Sequence, residues 1–358
     1  MVNMESETHE SPSMRKTLLV VNCILLSIGN CGCPLIMRLY FIHGGKRIWL
    51  TSWLLTAGWP FILIVLIVTF YYRRATTDNS TSKLFNIKPR LIIASTVLGI
   101  LTGVANYLYA YGVARLPVST AALVIASQLG FTAGFAYLLV KQKFSSFSVN
   151  AVVLLTIGSG VLALHTNSDR PEGESKGEYV LGFIMTLGAA ALSGFILPLI
   201  ELTYQKAKQV IDYPLVMEIL MVLCLSATLL CTVGMLINKD FNAISREARK
   251  FDLGETKYYM ILVSTAIISQ FFMLGAGGVI FCASSLVSGI ILAVLIPVTE
   301  VLAVLFFQEK FQAEKGVALV LSLWGFVSYF YGEIKHSKKT EKNSASAMEL
   351  PLDQIIAK

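Results

Sequence analysis

Long apolar runs separated by short polar connections dominate the chain. Ten windows stand out, over roughly 17–41, 48–72, 91–113, 117–139, 148–166, 180–200, 214–237, 258–280, 285–307 and 315–333. A run of about 18 apolar residues crosses the roughly 30 Å hydrocarbon core as a helix. In lipid the backbone must satisfy its own hydrogen bonds, so such runs read as helices rather than isolated strands. The pattern predicts an all-α membrane protein of ten transmembrane helices. Three connections, 73–90, 167–179 and 238–257, are longer and polar. Within the last, Phe241, Ile244, Ala248 and Phe251 recur at helical spacing opposite Arg246, Glu247, Arg249 and Lys250, as in a short surface helix or a solvated loop.

Composition agrees with the pattern. Residues are 55% hydrophobic and 14% charged, and mean hydropathy is +0.68, whereas soluble domains carry about 25% charged residues. The net charge of +7 fits basic cytoplasmic loops better than a nucleic-acid surface. An even number of spans puts both termini on one face, and a modest Lys/Arg excess assigns that face to the cytoplasm. The sequon Asn79-Ser80-Thr81 then falls inside and should be unused. Cys23, Cys31, Cys33, Cys224, Cys231 and Cys282 all fall in apolar runs, where thiols pack as small apolar groups. Neither a metal site nor a disulfide is expected. Glu5, Glu7 and Glu10 precede the first apolar run, the opposite of a basic leader, so the first helix is expected to remain in place.

A faint internal repeat divides the chain. Residues 132–144 (TAGFAYLLVKQKF) align without gaps on 299–311 (TEVLAVLFFQEKF), with identities at Thr132/Thr299, Ala136/Ala303, Leu138/Leu305, Lys143/Lys310 and Phe144/Phe311. Five spans per half is an odd number, so the second copy would enter the membrane inverted, as in many secondary transporters. The expected layout is a disordered cytoplasmic N-terminus (1–16), a first five-helix repeat (17–166), an extracellular linker (167–179), a second five-helix repeat (180–333) and a disordered cytoplasmic tail (334–358).

Polar groups deep in apolar runs are costly and mark candidate function. Glu300 is the only charge between Ser285 and Phe307, and a lone carboxyl at that depth suits a group that binds and releases a proton. Glu218 and Arg38 lie nearer span ends. Asn30, Gln128 and Gln270 sit near the centres of the first, fourth and eighth spans, with Asn106 one turn from the centre of the third. Singly each could be interhelical glue. Together their amides, donor beside acceptor, match the edge of a purine ring. Trp59 before Pro60, the tyrosines 107, 109 and 111, and Phe131 one turn from Gln128 could stack a flat heteroaromatic. Pro34, Pro60 and Pro297 break their helices at similar depth, and Gly275, Gly277 and Gly278 loosen the eighth. Gly130 and Gly134 form GxxxG, a close-packing motif.

The stretches NYLYAYGVARLPVSTAALVIASQLGFTAGFAYLLVKQKF (106–144), SSLVSGIILAVLIPVTEVLAVLFFQEKF (284–311), CGCPLIMRLYFIHGGKRIWLTSWLLTAGWP (31–60) and EKGVALVLSLWGFVSYFYG (314–332) resemble the plant purine permeases. These belong to the drug/metabolite transporter superfamily. The resemblance implies ten helices in two inverted repeats and proton-coupled uptake of adenine-type bases, including cytokinins. Its polar signature falls on Asn106, Gln128 and Glu300, with Trp59 in an aromatic-Pro element. The expected partners are purine bases, cytokinins, protons and membrane lipid. Nucleic acid is not among them, and no cofactor is expected beyond a proton gradient as energy source. The plasma membrane is the expected location. An enzyme is disfavoured because His43 and His165 lack acidic partners at helical spacing. A nucleotide-sugar exchanger would want cations in the cavity, where only Arg38 qualifies, and no filter-like loop suggests a channel.

Overall fold

The computed structural model describes residues 12–76, 85–116, 121, 124, 125, 127–142, 145–164, 176–307 and, in part, 316–335. The N-terminal segment, the 167–175 part of the linker, the Asn79 sequon and the tail beyond 335 lie outside the described residues.

The first helix, α1, runs over Pro12–Ile42. The second apolar run is broken: α2 covers Ile48–Ala57 and α3 covers Trp59–Thr76, with Gly58 capping α2. Then follow α4 (Pro89–Arg115), α5 (Gln128–Val140), α6 (Ser146–Leu164), α7 (Lys176–Gln205), α8 (Tyr213–Ile237), α9 (Asp240–Arg249), α10 (Glu255–Cys282) and α11 (Ser285–Phe307). No strand occurs among the described residues. Seven segments there are long and apolar enough to cross a membrane; one of them is the broken α2–α3 run. In the fourth predicted span α5 covers Gln128–Val140, Ser127 stands in a turn just ahead of it, and positions 121, 124 and 125 are also helical.

Local chemistry fixes the helix starts. Pro89 opens α4, where its missing N–H is no loss. The Asp212 carboxylate accepts from Leu215 N at 3.1 Å and caps α8. Helix α9 carries Asp240 in its first turn and Arg246 and Arg249 in its last, both favourable to its dipole. It forms within the polar loop 238–257, and its buried positions, Asp240, Ala243 and Ala248, face the protein. Ile244 also packs inward, against the Tyr40, Leu50 and Tyr258 cluster, while Phe241 remains exposed.

Outward-facing Val20, Ile24 and Ile28 on α1, and Ile64 and Val68 on α3, form apolar stripes suited to lipid. The principal core joins α1, α3, α4, α7, α8, α10 and α11. Helix α1 packs along α10 with backbone against backbone: a Cβ on Gly29 would collide with the Phe272 main chain, and one on Gly275 with that of Leu26. The Gly130/Gly134 motif makes no comparable approach. An added Cβ at Gly134 meets nothing, and one at Gly130 only Thr156 Oγ1 at 3.7 Å.

Polar ties close both ends of the bundle. At one end Arg47, between α1 and α2, lies 3.4 Å from Asp240 and 3.5 Å from Glu247. The Glu247 carboxylate also accepts from Tyr40 OH, from Tyr258 OH at 3.2 Å and from Lys46 N at 3.3 Å. At the other end Glu218 accepts from Asn86 N and Ile87 N, both at 2.9 Å. There Glu201 also accepts from Ser285 N at 2.7 Å, and Arg15 Nε donates to Cys282 O at 3.2 Å. Glu218 is therefore a buried clasp for the 85–88 segment rather than a side chain reaching the interface.

Of the five pairs matched by the internal repeat, Lys143/Lys310 and Phe144/Phe311 lie outside the described residues, and the other three share their burial. Thr132 and Thr299 are both buried and each donates to the carbonyl four residues back. Ala136 and Ala303 are both fully buried, and Leu138 and Leu305 both exposed. Helices α5 and α11, which carry them, pack on each other through Leu129, Ala133, Leu286 and Ile290.

Candidate functional site

Between these ends lies a cavity of about 140 Å³, the scale of an apolar cavity that takes one small aromatic ring. Its described lining comes from α1, α2, α4, Ile125, α5, α7, α10 and α11. Four of the residues singled out in the sequence meet there: Asn30, Asn106, Tyr109 and Gln128.

Each arrives for a local reason. Pro34, four residues after Asn30, has no N–H to give the Asn30 carbonyl, so α1 loses a helical bond at the cavity wall. The same spacing recurs at Pro198 after Gly194, beside the lining residue Ser193, and at Pro297 after the lining residue Ala293. Irregular backbone in a membrane is tolerated where it faces a cavity or finds other partners. On α4 the three tyrosines separate. Tyr107 stacks on Trp49 at 4.1 Å, Tyr111 lies under the Arg115 guanidinium at 3.7 Å, and Tyr109 alone of the three lines the cavity. Asn106, three residues before Tyr109, shares its face. The Asn106 side-chain amide nitrogen is buried with no hydrogen-bond partner among the described residues, and Ser52 Oγ donates to the Asn106 main-chain carbonyl at 3.4 Å. An unsatisfied buried donor costs about 1–3 kcal/mol, which makes this amide a candidate contact for a bound molecule.

Three other residues predicted for the site are not among its lining residues. Trp59 packs against the principal core beside Leu26 and Ile62. Phe131 lies against α7, where a Cβ on Gly194 would come within 2.6 Å of its Cβ. Gln270 is fully buried beside the α2–α3 break, where Gly58 leaves room for it. Both of its amide atoms lack partners. Glu300 belongs to α11, but its side chain lies outside the described residues. The α11 lining positions 289, 292, 293 and 296 form one stripe, and position 300 continues it by a turn.

The lining residues not predicted from sequence include Cys33, Ser193, Ser269, Phe272 and Met273. The first is one turn from Asn30, so the helical period could have found it. The others lacked a signal, since Ser, Phe and Met are ordinary in apolar helices. Among the described lining residues none is charged. No cluster of His, Cys, Asp or Glu suited to a metal ion occurs among the described residues. The arrangement can hold a flat, neutral, hydrogen-bonding molecule.

Comparison with known proteins supports this chemistry. The family described as purine nucleobase transmembrane transport matches residues 17–339. Purine permease 3 of Arabidopsis thaliana is 55% identical over 345 residues, which is 93% of this chain and 98% of the relative. Purine permease 2 of the same plant is 54% identical over 356 residues, covering 96% and 99%. Probable purine permease 5 is 34% identical, covering 96% and 95%. One crystal structure matches with a TM-score of 0.59 at 15% identity, over 89% of this chain and 96% of the other, a likeness of fold alone. A multi-pass integral membrane transporter and not an enzyme, this chain belongs to the plant purine permease family.

Proposed function

We propose that the protein is a proton-coupled importer of purine nucleobases and adenine-type cytokinins at the plasma membrane, working by alternating access. The observation that carries this reading is the convergence of Asn30, Asn106, Gln128 and Tyr109 on one cavity without a charged residue in its described lining, with the Asn106 amide nitrogen unpartnered among the described residues. Amides read the alternating donors and acceptors of an aminopurine edge, and Tyr109 offers a ring to stack on. The lack of any Lys or Arg among the described lining residues disfavours a nucleotide-sugar exchanger, whose phosphates call for cations.

The fold in this reading has ten spans in two inverted repeats. The matched burial of Thr132/Thr299, Ala136/Ala303 and Leu138/Leu305 supports it. The termini face the cytoplasm and α9 faces outward. The cluster of Arg47, Asp240 and Glu247 then forms the outer closure, and the Glu218 and Glu201 ties form the inner one. The Arg47 ties and the Glu218 tie each join elements from both halves of the chain, as alternating access requires, while the Glu201 tie joins α7 to α11 within the second half. Glu300 carries the coupled proton: protonated it permits binding from outside, and losing the proton inside favours release.

Radiolabelled adenine and cytokinin uptake in yeast lacking its own purine uptake tests the whole reading. Saturable uptake favoured by acid and abolished by an uncoupler is expected. With the protein confirmed at the cell surface, no uptake of either base would refute the substrate assignment. Uptake indifferent to the uncoupler would refute the coupling.

A further inference from the structure

The predicted polar wall of the cavity is one-sided. Asn30, Asn106, Tyr109 and Gln128 all come from α1, α4 and α5, in the first half of the chain. The second half contributes mainly apolar groups, with two hydroxyls, Ser193 on α7 and Ser269 on α10. The Ser269 hydroxyl is engaged internally, with Leu54 O and Ala266 O each at 3.0 Å. Among the described residues the Ser193 hydroxyl has no hydrogen-bond partner.

That freedom is unusual for its helix. Thr186 and Thr203, on the same α7, each donate to the carbonyl four residues back at 2.8 Å, the ordinary way a hydroxyl is satisfied within a helix. Ser193 does not, although it is half-buried and lines the cavity. Its neighbour fixes where it stands. A Cβ at Gly194 would lie 2.6 Å from Phe131 Cβ and 3.0 Å from both Gln128 O and Thr132 N, so α7 is seated directly on α5 there. The next position around the helix, Ser193, then opens on the same chamber as Gln128. Close packing does not explain a serine at 193, because Gly194 already supplies the approach.

We propose that Ser193 is a specificity-determining contact for the transported base, donating its hydroxyl proton to a ring nitrogen of the purine. This rests on the purine-site reading above and adds the second half's share of it. A base gripped by α1, α4 and α5 alone gives no reason for α7 to close on it. A ligand shifts a conformational equilibrium only by the difference in its contacts between the states. One contact from α7 supplies such a difference.

The test is equilibrium binding to the purified full-length protein in lipid nanodiscs, using adenine and its 1-, 3-, 7- and 9-deaza analogues. Ser193→Ala should weaken adenine by about three- to tenfold, the usual worth of one hydrogen bond. Ser193→Cys, similar in size but a weak donor, should lose nearly as much. For one deaza analogue, the one lacking the nitrogen that Ser193 contacts, wild type and both variants should bind alike, a coupling that a packing role would not produce. Unchanged adenine binding in Ser193→Ala, or an equal loss for all analogues, would overturn the assignment. A Cys variant retaining full affinity would do the same by pointing to packing. If folded wild type binds none of these bases, the purine reading itself falls, and Ser193 with it.

Discussion

Removing the Arg47 guanidinium should unlatch the end of the bundle that carries α9. Arg47 reaches Asp240 at 3.4 Å and Glu247 at 3.5 Å, and their side chains are 0% and 10% exposed, against 33% for Arg47. An exposed ion pair contributes about 0–1 kcal/mol, whereas stripping the partner from a buried charge costs about 3–5 kcal/mol. Two features reduce the upper figure here. Arg47 is partly solvated, and both carboxylates keep other donors: Asn238 for Asp240 at 2.8 Å, and Tyr40, Tyr258 and Lys46 N for Glu247. About 2 kcal/mol remains, or roughly 30-fold in the equilibrium between latched and open forms, since 1.4 kcal/mol is a factor of ten. Cys33 reports that equilibrium, because it lines the cavity and is only 7% exposed. With the other five cysteines replaced, a membrane-impermeant thiol reagent applied from the α9 side should label Cys33 about 30-fold faster in Arg47→Ala than in the parent. Arg47→Lys, whose single ammonium cannot fork to two carboxylates, should fall between. Labelling within twofold of the parent in folded Arg47→Ala protein would refute the latch.

Asn106→Leu should raise the KM for adenine by about tenfold with surface expression unchanged, through loss of the unpartnered amide; transport kinetics beside surface biotinylation will check it. Glu300→Gln should still bind adenine but lose acid stimulation and concentrative uptake, read as accumulation with and without an uncoupler. Gln270→Met should raise the melting temperature of the purified protein by a few degrees, because the amide it removes is buried with both atoms unpartnered. Burial pushes the Asp240 carboxyl above its usual range, against the pull of Asn238 and Arg47. A carboxyl raised in this way lends stability that is full below its unfolded pKa and lost as pH rises through the folded one. Asp240→Asn should therefore gain on wild type in thermal stability as pH rises from the acid range to neutrality, measured by paired melts.

What the sequence could reveal of the site follows from what period and polarity encode. Asn30, Asn106 and Gln128 stand out in the sequence because an amide deep in an apolar run is costly, although singly each could be interhelical glue. Their convergence on one cavity depends on helix packing, and no single run encodes that. The tyrosines of α4 show the limit. Three rings at spacing two face three directions on a helix, and only the positions of Trp49, Arg115 and the cavity decide which one meets a ligand. Ser193 was illegible for the opposite reason. Serine is common in apolar helices, and what distinguishes this one is a bond it does not make. The GxxxG signature at Gly130 misled because it records permission for close packing, while the contact depends on what lies opposite. The approach falls instead at Gly29 and Gly275, which no short motif links. The broken second span was marked by Pro60 in the sequence, and its cap at Gly58 serves to make room for Gln270.

The seating of α1 on α10, main chain on main chain at Gly29 and Gly275, joins one helix from each half of the chain into a stiff strut. Side chains can change rotamer to let helices slide, but two backbones in contact have no such give. On the alternating-access reading, any rocking would have to carry α1 and α10 together as one piece. The seam between α5 and α11 is made of side chains, which can change rotamer, so on that reading shear would be easier there than along the α1–α10 contact. The borders of a moving piece would then differ from the midpoint of the chain.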